Sequence, residues 1–138
     1  MKIHNFTLCD IVRREDNGKY LLIGAYSNEI IFPAFPATFQ FSLWFLAEHE
    51  VLRTDEIALR GRTSIDEDPF FTMEGEVEVR DTSNWSPLGV GVAVTFREPC
   101  TLYIEAKINE NDWILLREAR IRQGDVTPFM IVPPAPES

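Results

Sequence analysis

The fold is indicated first by residues 4–26, which read HNFTLCDIVRREDNGKYLLIGAY. Two runs rich in β-forming residues, 4–14 and 19–26, flank the turn Asp16-Asn17-Gly18. Asn-Gly between apolar runs is the strongest short-range hairpin signal, because both central residues of a two-residue hairpin turn need positive φ and these two residue types tolerate it. The chain is therefore predicted to open as a β-hairpin.

Two later segments show the clearest strand periodicity. Their apolar residues alternate with polar or aromatic ones, and a period of two places one set on a buried face and the other outward. The apolar positions are Phe39, Phe41, Leu43 and Phe45 in the first segment, and Leu102, Ile104, Ala106 and Ile108 in the second. The outward positions are Gln40, Ser42 and Trp44, and Tyr103, Glu105 and Lys107.

Shorter patterns predict the remaining strands. Alternation at residues 76–80 and the β-branched run at 90–96 each indicate a strand. Residues 113–116 are predicted to form a second hairpin with the strand at 102–108, since the residues between them tolerate left-handed geometry. Residues 53–65 are compatible with a short capped helix, but their apolar residues keep a two-residue spacing, which favours a strand.

These elements predict an all-β fold, an antiparallel two-sheet β-sandwich of about eight strands with little or no helix. A closed barrel is the alternative. Residues 31–36, IFPAFP, contain two prolines that cannot donate ladder hydrogen bonds, so they are predicted to cross from one sheet to the other. The 138 residues have room for one domain, expected to span residues 1–132, followed by a Pro-rich mobile tail at 133–138.

The composition is that of an ordinary globular protein with an acidic surface. Hydrophobic residues make up 45% of the chain and charged residues 25%, which excludes a disordered or fibrous class. The net charge of −9 repels phosphate backbones, so no nucleic-acid partner is expected. Arg60 and Arg62 share a strand parity and are interpreted as part of a solvated sheet face.

The expected compartment is the cytoplasm. The opening residues lack the continuous apolar run of a secretory signal, and no apolar run approaches the roughly 18 residues of a membrane span, so no membrane partner is expected. The two cysteines, Cys9 and Cys100, are far apart in sequence. In a reducing compartment they are expected to be free, buried thiols.

Several motifs resemble a bacterial family of domains of unknown function. The opening motifs are Leu8-Cys9-Asp10-Ile11-Val12, Asn17-Gly18-Lys19-Tyr20, Leu22-Ile23-Gly24-Ala25-Tyr26 and Phe35-Pro36-Ala37. Residues 61–68, GRTSIDED, and 102–106, LYIEA, are similar to the closing half of that family. The resemblance covers most of the chain and implies an immunoglobulin-like β-sandwich, with no catalytic residues to carry over. Pro99-Cys100-Thr101 departs from the family's usual glycine there, so the bend before this strand is expected to differ.

Candidate metal sites are weak. The densest acidic run, residues 66–68, lacks the central glycine and distal glutamate of a helix-loop-helix calcium site. His4 and His49 are too few and too isolated for zinc, which takes three or four nitrogen or sulfur ligands. We predict no metal or cofactor residues.

Candidate catalytic residues are also weak. Glu74, Glu76 and Glu78 share one strand parity, and paired carboxylates are the groups that hydrolyse glycosides. Alternating glutamates more commonly protect an edge strand from pairing, however. We predict a protein that is not an enzyme and has no catalytic residues. A glycoside hydrolase using Glu76 and Glu78 is a distant alternative.

Aromatic residues are the better lead to function. Trp44 has outward parity, Trp85 lies in a polar loop, and Phe32 and Phe35 lie beside prolines. Aromatic side chains that stay exposed usually mark a contact. For Trp44 the favoured alternative is a central strand buried on both faces with Trp44 under a loop, because tryptophan is highly buried on average. These four residues are the interaction candidates.

The leading hypothesis is a non-enzymatic protein-interaction or assembly module. It would bind a protein partner or self-associate through a sheet face or edge near Trp44 and the crossover at residues 32–36. The alternative is a β-sandwich that binds a small ligand or carbohydrate, with Trp85 and Trp113 as stacking platforms.

Overall fold

The computed structural model of the chain describes residues 1–125, which form nine β-strands and no helix. The strands are β1 (Lys2–Arg14), β2 (Tyr20–Ala25), β3 (Glu29–Phe32), β4 (Ala37–Glu48), β5 (Thr54–Thr63), β6 (Phe71–Glu78), β7 (Ser86–Phe96), β8 (Cys100–Ile108) and β9 (Ile114–Gln123). One sheet has four strands in the order β2-β1-β4-β7, and the other has five in the order β3-β9-β8-β5-β6. The predicted all-β sandwich is confirmed, and the two sheets are not closed into a barrel.

The core lies between β4 of the first sheet and β8 of the second. All eight apolar positions predicted from the alternation in these two strands are buried. Leu8 of β1 and Phe96 of β7 belong to the larger of the two buried clusters that these strands form. Burying each large apolar side chain contributes about 2 kcal/mol, so the two alternating strands supply much of the driving force for folding.

The opening hairpin is confirmed, but its turn differs from the predicted one. Glu15 N–H donates to the carbonyl oxygen of Lys19 at 2.8 Å, and Gly18 N–H donates to that of Glu15 at 3.1 Å. Within this loop only Gly18 has positive φ, 81°. These contacts describe a three-residue loop ending in a left-handed glycine, instead of a two-residue turn in which Asn17 also has positive φ.

The other predicted hairpin and the ambiguous segment both form strands. Strands β8 and β9 pair antiparallel, and Asn109 in the loop between them has a φ of 54°. Residues 54–63 form β5, which pairs with β6 and β8. The preference for a strand over a helix in this segment is confirmed.

The region before the first crossover contains a strand that was not predicted. Residues 33–36 do carry the chain from the five-stranded to the four-stranded sheet. Ile31 and Phe32, however, belong to β3, which pairs parallel with β9. Residues 1–125 therefore form nine strands instead of about eight, and one of their strand pairs is parallel.

The expected domain end at residue 132 and the tail at 133–138 lie outside the described residues. Within residues 1–125 the chain has no helix long and apolar enough to cross a membrane.

Candidate functional site

Among the strands that residues 1–125 form, β7 is the longest that lies at the edge of a sheet, with 11 residues. It pairs with β4 along its whole length, from Ala37↔Phe96 to Ala47↔Ser86. No strand within residues 1–125 pairs with its other side. At about 3.4 Å per residue, the free edge is about 37 Å long.

No residue of this edge carries a charge. The strand reads SPLGVGVAVTF, with half-buried apolar residues facing the other sheet and small exposed residues facing outward. The residues that face the other sheet are Leu88, Val90, Val92 and Val94. The residues that face outward are Gly89, Gly91 and Ala93. A long, flat, uncharged edge is the kind that adds a further strand from another chain.

The neighbouring edge, β6, has the opposite character. Glu74, Glu76 and Glu78 are all exposed on this strand, and Glu76 lies directly opposite Glu56 of β5. Like charges at an edge oppose strand addition. The three glutamates therefore lie where they can protect an edge, and the structure places the two residues of the hydrolase alternative on an open surface.

An apolar groove separates the two edges. A cavity of about 200 Å³ opens between β6 and β7, with Phe45, Leu59, Met73, Leu88 and Val90 among its lining residues. Met73 is 42% exposed there. A strand added to β7 would place alternate side chains over this groove, because side chains of a strand alternate between the two faces of its sheet.

Trp44 lies one strand away from the β7 edge, on the outer face of the four-stranded sheet. It is half-buried and directly opposite Gly89 of β7. The ring of Tyr20 lies 5.8 Å from that of Trp44, although β2 and β4 are not neighbours. Strand β1 pairs with β4 only as far as Cys9, so the distal hairpin bends across this face and covers part of Trp44.

Phe32 and Phe35 lie at one end of the core. Both are half-buried and pack against its buried cluster. Their ring centroids are 5.9 Å apart, and Phe32 lies 5.5 Å from Phe39. These two interaction candidates therefore contribute to internal packing.

The two tryptophans of the ligand-binding alternative lie in loops that lead into strands of different sheets, Trp85 before β7 and Trp113 before β9. Trp85 is 44% exposed, and the ring of His4 stacks on it at 4.2 Å. The guanidinium of Arg60 lies 4.0 Å from the ring centre of Trp113, on the outer face of the other sheet. They cannot form one stacking platform.

A buried carboxylate on the five-stranded sheet was missed by the sequence analysis. Glu105 is 8% exposed, accepts a hydrogen bond from Arg60 Nε at 3.1 Å, and also accepts one from Arg62. The bond from Arg62 is the main reason that the pKa of Glu105 is lowered; burial opposes this shift, and Arg60 adds to it. The interpretation of Arg60 and Arg62 as a solvated face is wrong, because both are half-buried and bind this carboxylate.

A second buried carboxylate ties the β5 strand to a loop. Asp55 is 2% exposed and accepts hydrogen bonds from Arg53 at 2.7 Å and Asn109 at 2.9 Å. Burial raises its pKa, but the two hydrogen bonds and the charge of Arg53 outweigh burial and lower it. The two cysteines are free and buried, in different sheets.

The acidic loop at residues 66–68 has a structural contact. Asp66 pairs with Arg97 at 2.9 Å. In the part of the chain that the structure describes, no group of three or more His, Cys, Asp or Glu side chains is arranged to hold a metal ion.

The chain was also compared with known proteins. The model of a family of unknown function, DUF6941, matches residues 4–112, most of the chain, and the chain therefore belongs to this family. A search of curated proteins found no match.

Proposed function

We propose that this chain, a member of the DUF6941 family, is a protein-interaction module that self-associates by strand addition at the free edge of β7. The observation that carries the proposal is the uncharged 11-residue edge, which no strand within residues 1–125 covers. The contrast with β6, where three exposed glutamates occupy the corresponding edge, supports it.

The main chain of β7 supplies the attraction. In an antiparallel strand the N–H and C=O groups of alternate residues point to opposite sides, so about half of the 11 residues direct both groups to the free edge. A strand added there gains these hydrogen bonds without desolvating a charge. The half-buried Leu88 and Val90, which line the groove, add apolar contact.

The proposed surface refines the one expected from the aromatic residues. Trp44 borders it, because its partner across the ladder is Gly89 of the edge strand. Phe32 and Phe35 serve the core instead. The proposal includes a bacterial origin and a cytoplasmic location. The cytoplasmic location is supported by the free, buried thiols of Cys9 and Cys100, because a reducing compartment keeps thiols free.

Two matched substitutions test the proposal. Gly91 of β7 and Gly75 of β6 both lie in edge strands, and an added Cβ at either position meets no atom within 4 Å. Gly91→Lys places a positive charge on β7, the proposed contact edge. Gly75→Lys places the same charge on β6, the edge that carries the three glutamates. The measurement is sedimentation equilibrium with native mass spectrometry, over about 1 to 200 µM, the range in which a small interface dissociates.

We expect the unmodified chain and Gly75→Lys to form the same oligomer, and Gly91→Lys to be monomeric with an unchanged circular dichroism spectrum. A monomeric unmodified chain across the whole range would refute self-association. Equal loss of the oligomer in both variants would show that added charge, and not its position on β7, is responsible. A retained small molecule in the native spectrum would favour the ligand-binding alternative.

A further inference from the structure

We infer that the added strand is β7 of a second copy, paired antiparallel about a two-fold axis through Gly91. This inference rests on the proposed function and specifies its partner and geometry. A symmetric dimer is the commonest closed assembly, because one surface then serves both copies. Gly91 is the middle residue of Ser86–Phe96, so this axis pairs the whole strand with itself.

The ends of the strand fix this register. A slip of two residues in one direction would bring Arg97 and Glu98 into the pairing, and Arg97 is held by Asp66 at 2.9 Å. A slip in the other direction would draw in Asn84, whose side chain donates to Asp81 at 2.9 Å. Only the register centred on Gly91 pairs all 11 residues of β7 with residues of β7 in the other copy.

The alternation of the strand also favours this register. Directly opposed residues of an antiparallel pair point to the same face. With Gly91 on the axis, Val90 opposes Val92 of the other copy, so both side chains point to the inner face of the sheet, where Val90 lines the apolar groove. A slip of one residue would instead oppose each valine to an outward glycine or alanine and leave the groove uncovered.

The size of the contact predicts a weak dimer. An edge about 37 Å long and about 10 Å wide covers about 400 Å² on each copy, or about 800 Å² in total. This lies below the range of stable interfaces and corresponds to a transient dimer. Each copy carries a net charge of −9, so added salt should strengthen the dimer by screening the repulsion between copies.

Single cysteines placed on the outward face of β7 test the register in the full chain. The variants are Gly91→Cys, Gly89→Cys and Ala93→Cys. Opposed Cα atoms at the axis lie about 4.5 to 5.5 Å apart, which suits a disulfide. Two copies of position 89 lie about 14 Å apart, but position 89 directly opposes position 93 of the other copy. The unmodified chain, whose two native thiols are buried, is the oxidation control.

We expect Gly91→Cys to form a disulfide dimer by itself under mild oxidation. Gly89→Cys and Ala93→Cys should each stay monomeric when oxidised alone and form a cross-linked dimer when mixed. Self-cross-linking of Gly89→Cys or Ala93→Cys to the same extent as the mixture would overturn the register, while the oligomer of the unmodified chain would still support the proposed function.

Two further outcomes would show that the β7 edge is not occupied by β7 of a second copy. An unmodified chain that dimerises, with no cross-link in any variant, would place the second copy on another surface and overturn this inference alone. In a monomeric chain, strong protection from hydrogen exchange at those amides of positions 88–94 that do not donate to β4 would mean that residues of the same chain cover the edge. That result would overturn both proposals.

Discussion

Replacing Glu105 by glutamine should destabilise the protein far more than an ordinary surface substitution. The change keeps the size of the side chain and removes the charge that Arg60 and Arg62 share. Breaking a fully buried ion pair costs about 3 to 5 kcal/mol, and an exposed pair is worth about 0 to 1 kcal/mol. The side chain of Glu105 is 11% exposed, whereas those of Arg60 and Arg62 are 26% and 35% exposed and can regain water.

These exposures place the expected loss between the two limits, at about 2 kcal/mol in the free energy of unfolding. For a domain of this size, that loss lowers the melting temperature by about 7 °C. Urea denaturation at neutral pH measures it. Glu78→Gln is the matched control, because Glu78 pairs with Arg80 at 3.2 Å on the open surface. We expect this control to lose less than about 0.5 kcal/mol.

The same variant should show a defined pH dependence. The pKa of Glu105 is lowered in the folded state, so its contribution is present above the ordinary glutamate pKa of about 4.3. It is lost as the pH falls through the lowered folded value. The difference in stability between the unmodified protein and Glu105→Gln should therefore shrink below about pH 4. A neutral-pH loss no larger than that of Glu78→Gln would refute the reasoning, as would a difference that persists unchanged into acid.

Two further predictions concern backbone strain and the thiols. Gly24→Ala should cost about 2 to 3 kcal/mol by urea denaturation, because Gly24 has a φ of 70° and a Cβ there would clash with the carboxylate of Asp10. Gly18→Ala, at a φ of 81° in open space, should cost only about 1 kcal/mol, and equal losses would contradict the clash. Burial raises the pKa of Cys9 and Cys100, so both should react with a disulfide reagent only as fast as the protein unfolds. Rapid reaction of either thiol in the native protein would be the contrary result.

Local patterns in the sequence were sufficient to predict most of the strands. The alternation in β4 and β8 reflects a single buried face, which depends only on residues two apart. The Asn17-Gly18 signal located the first hairpin correctly. It did not distinguish a two-residue from a three-residue loop, because a left-handed glycine is favourable in both.

The parts that the sequence did not reveal depend on distant residues. Strand β3 has four residues, and its partner β9 lies about ninety residues further along the chain. Nothing in residues 29–32 specifies a parallel partner. Glu105 is a second example. The alternation in β8 predicts that its side chain points outward, and it is buried because Arg60 and Arg62 of the neighbouring strand β5 contact it.

The candidate site was missed for a related reason. The run at residues 90–96 was correctly predicted as a strand, but its position at the edge of a sheet follows from strand order, which sequence patterns do not specify. Trp44, Phe32 and Phe35 were predicted instead, because aromatic side chains that stay exposed usually mark a contact. In the structure, tertiary contacts with Tyr20 and with the core occupy much of their surface.

The glycines of β7 connect stability with function. A glycine inside a strand weakens it by roughly 0.5 to 1 kcal/mol, yet β7 carries Gly89 and Gly91 on its outward face and no charge to guard its edge. With 22 acidic residues the chain does not lack charges, and it places three of them on β6. Both properties of β7 are unfavourable in an open edge strand. In a paired strand they become favourable, because small residues allow a second backbone to approach closely and an uncharged edge desolvates at little cost. This reversal is the physical reason for assigning the interaction to the β7 edge and not to the aromatic surface.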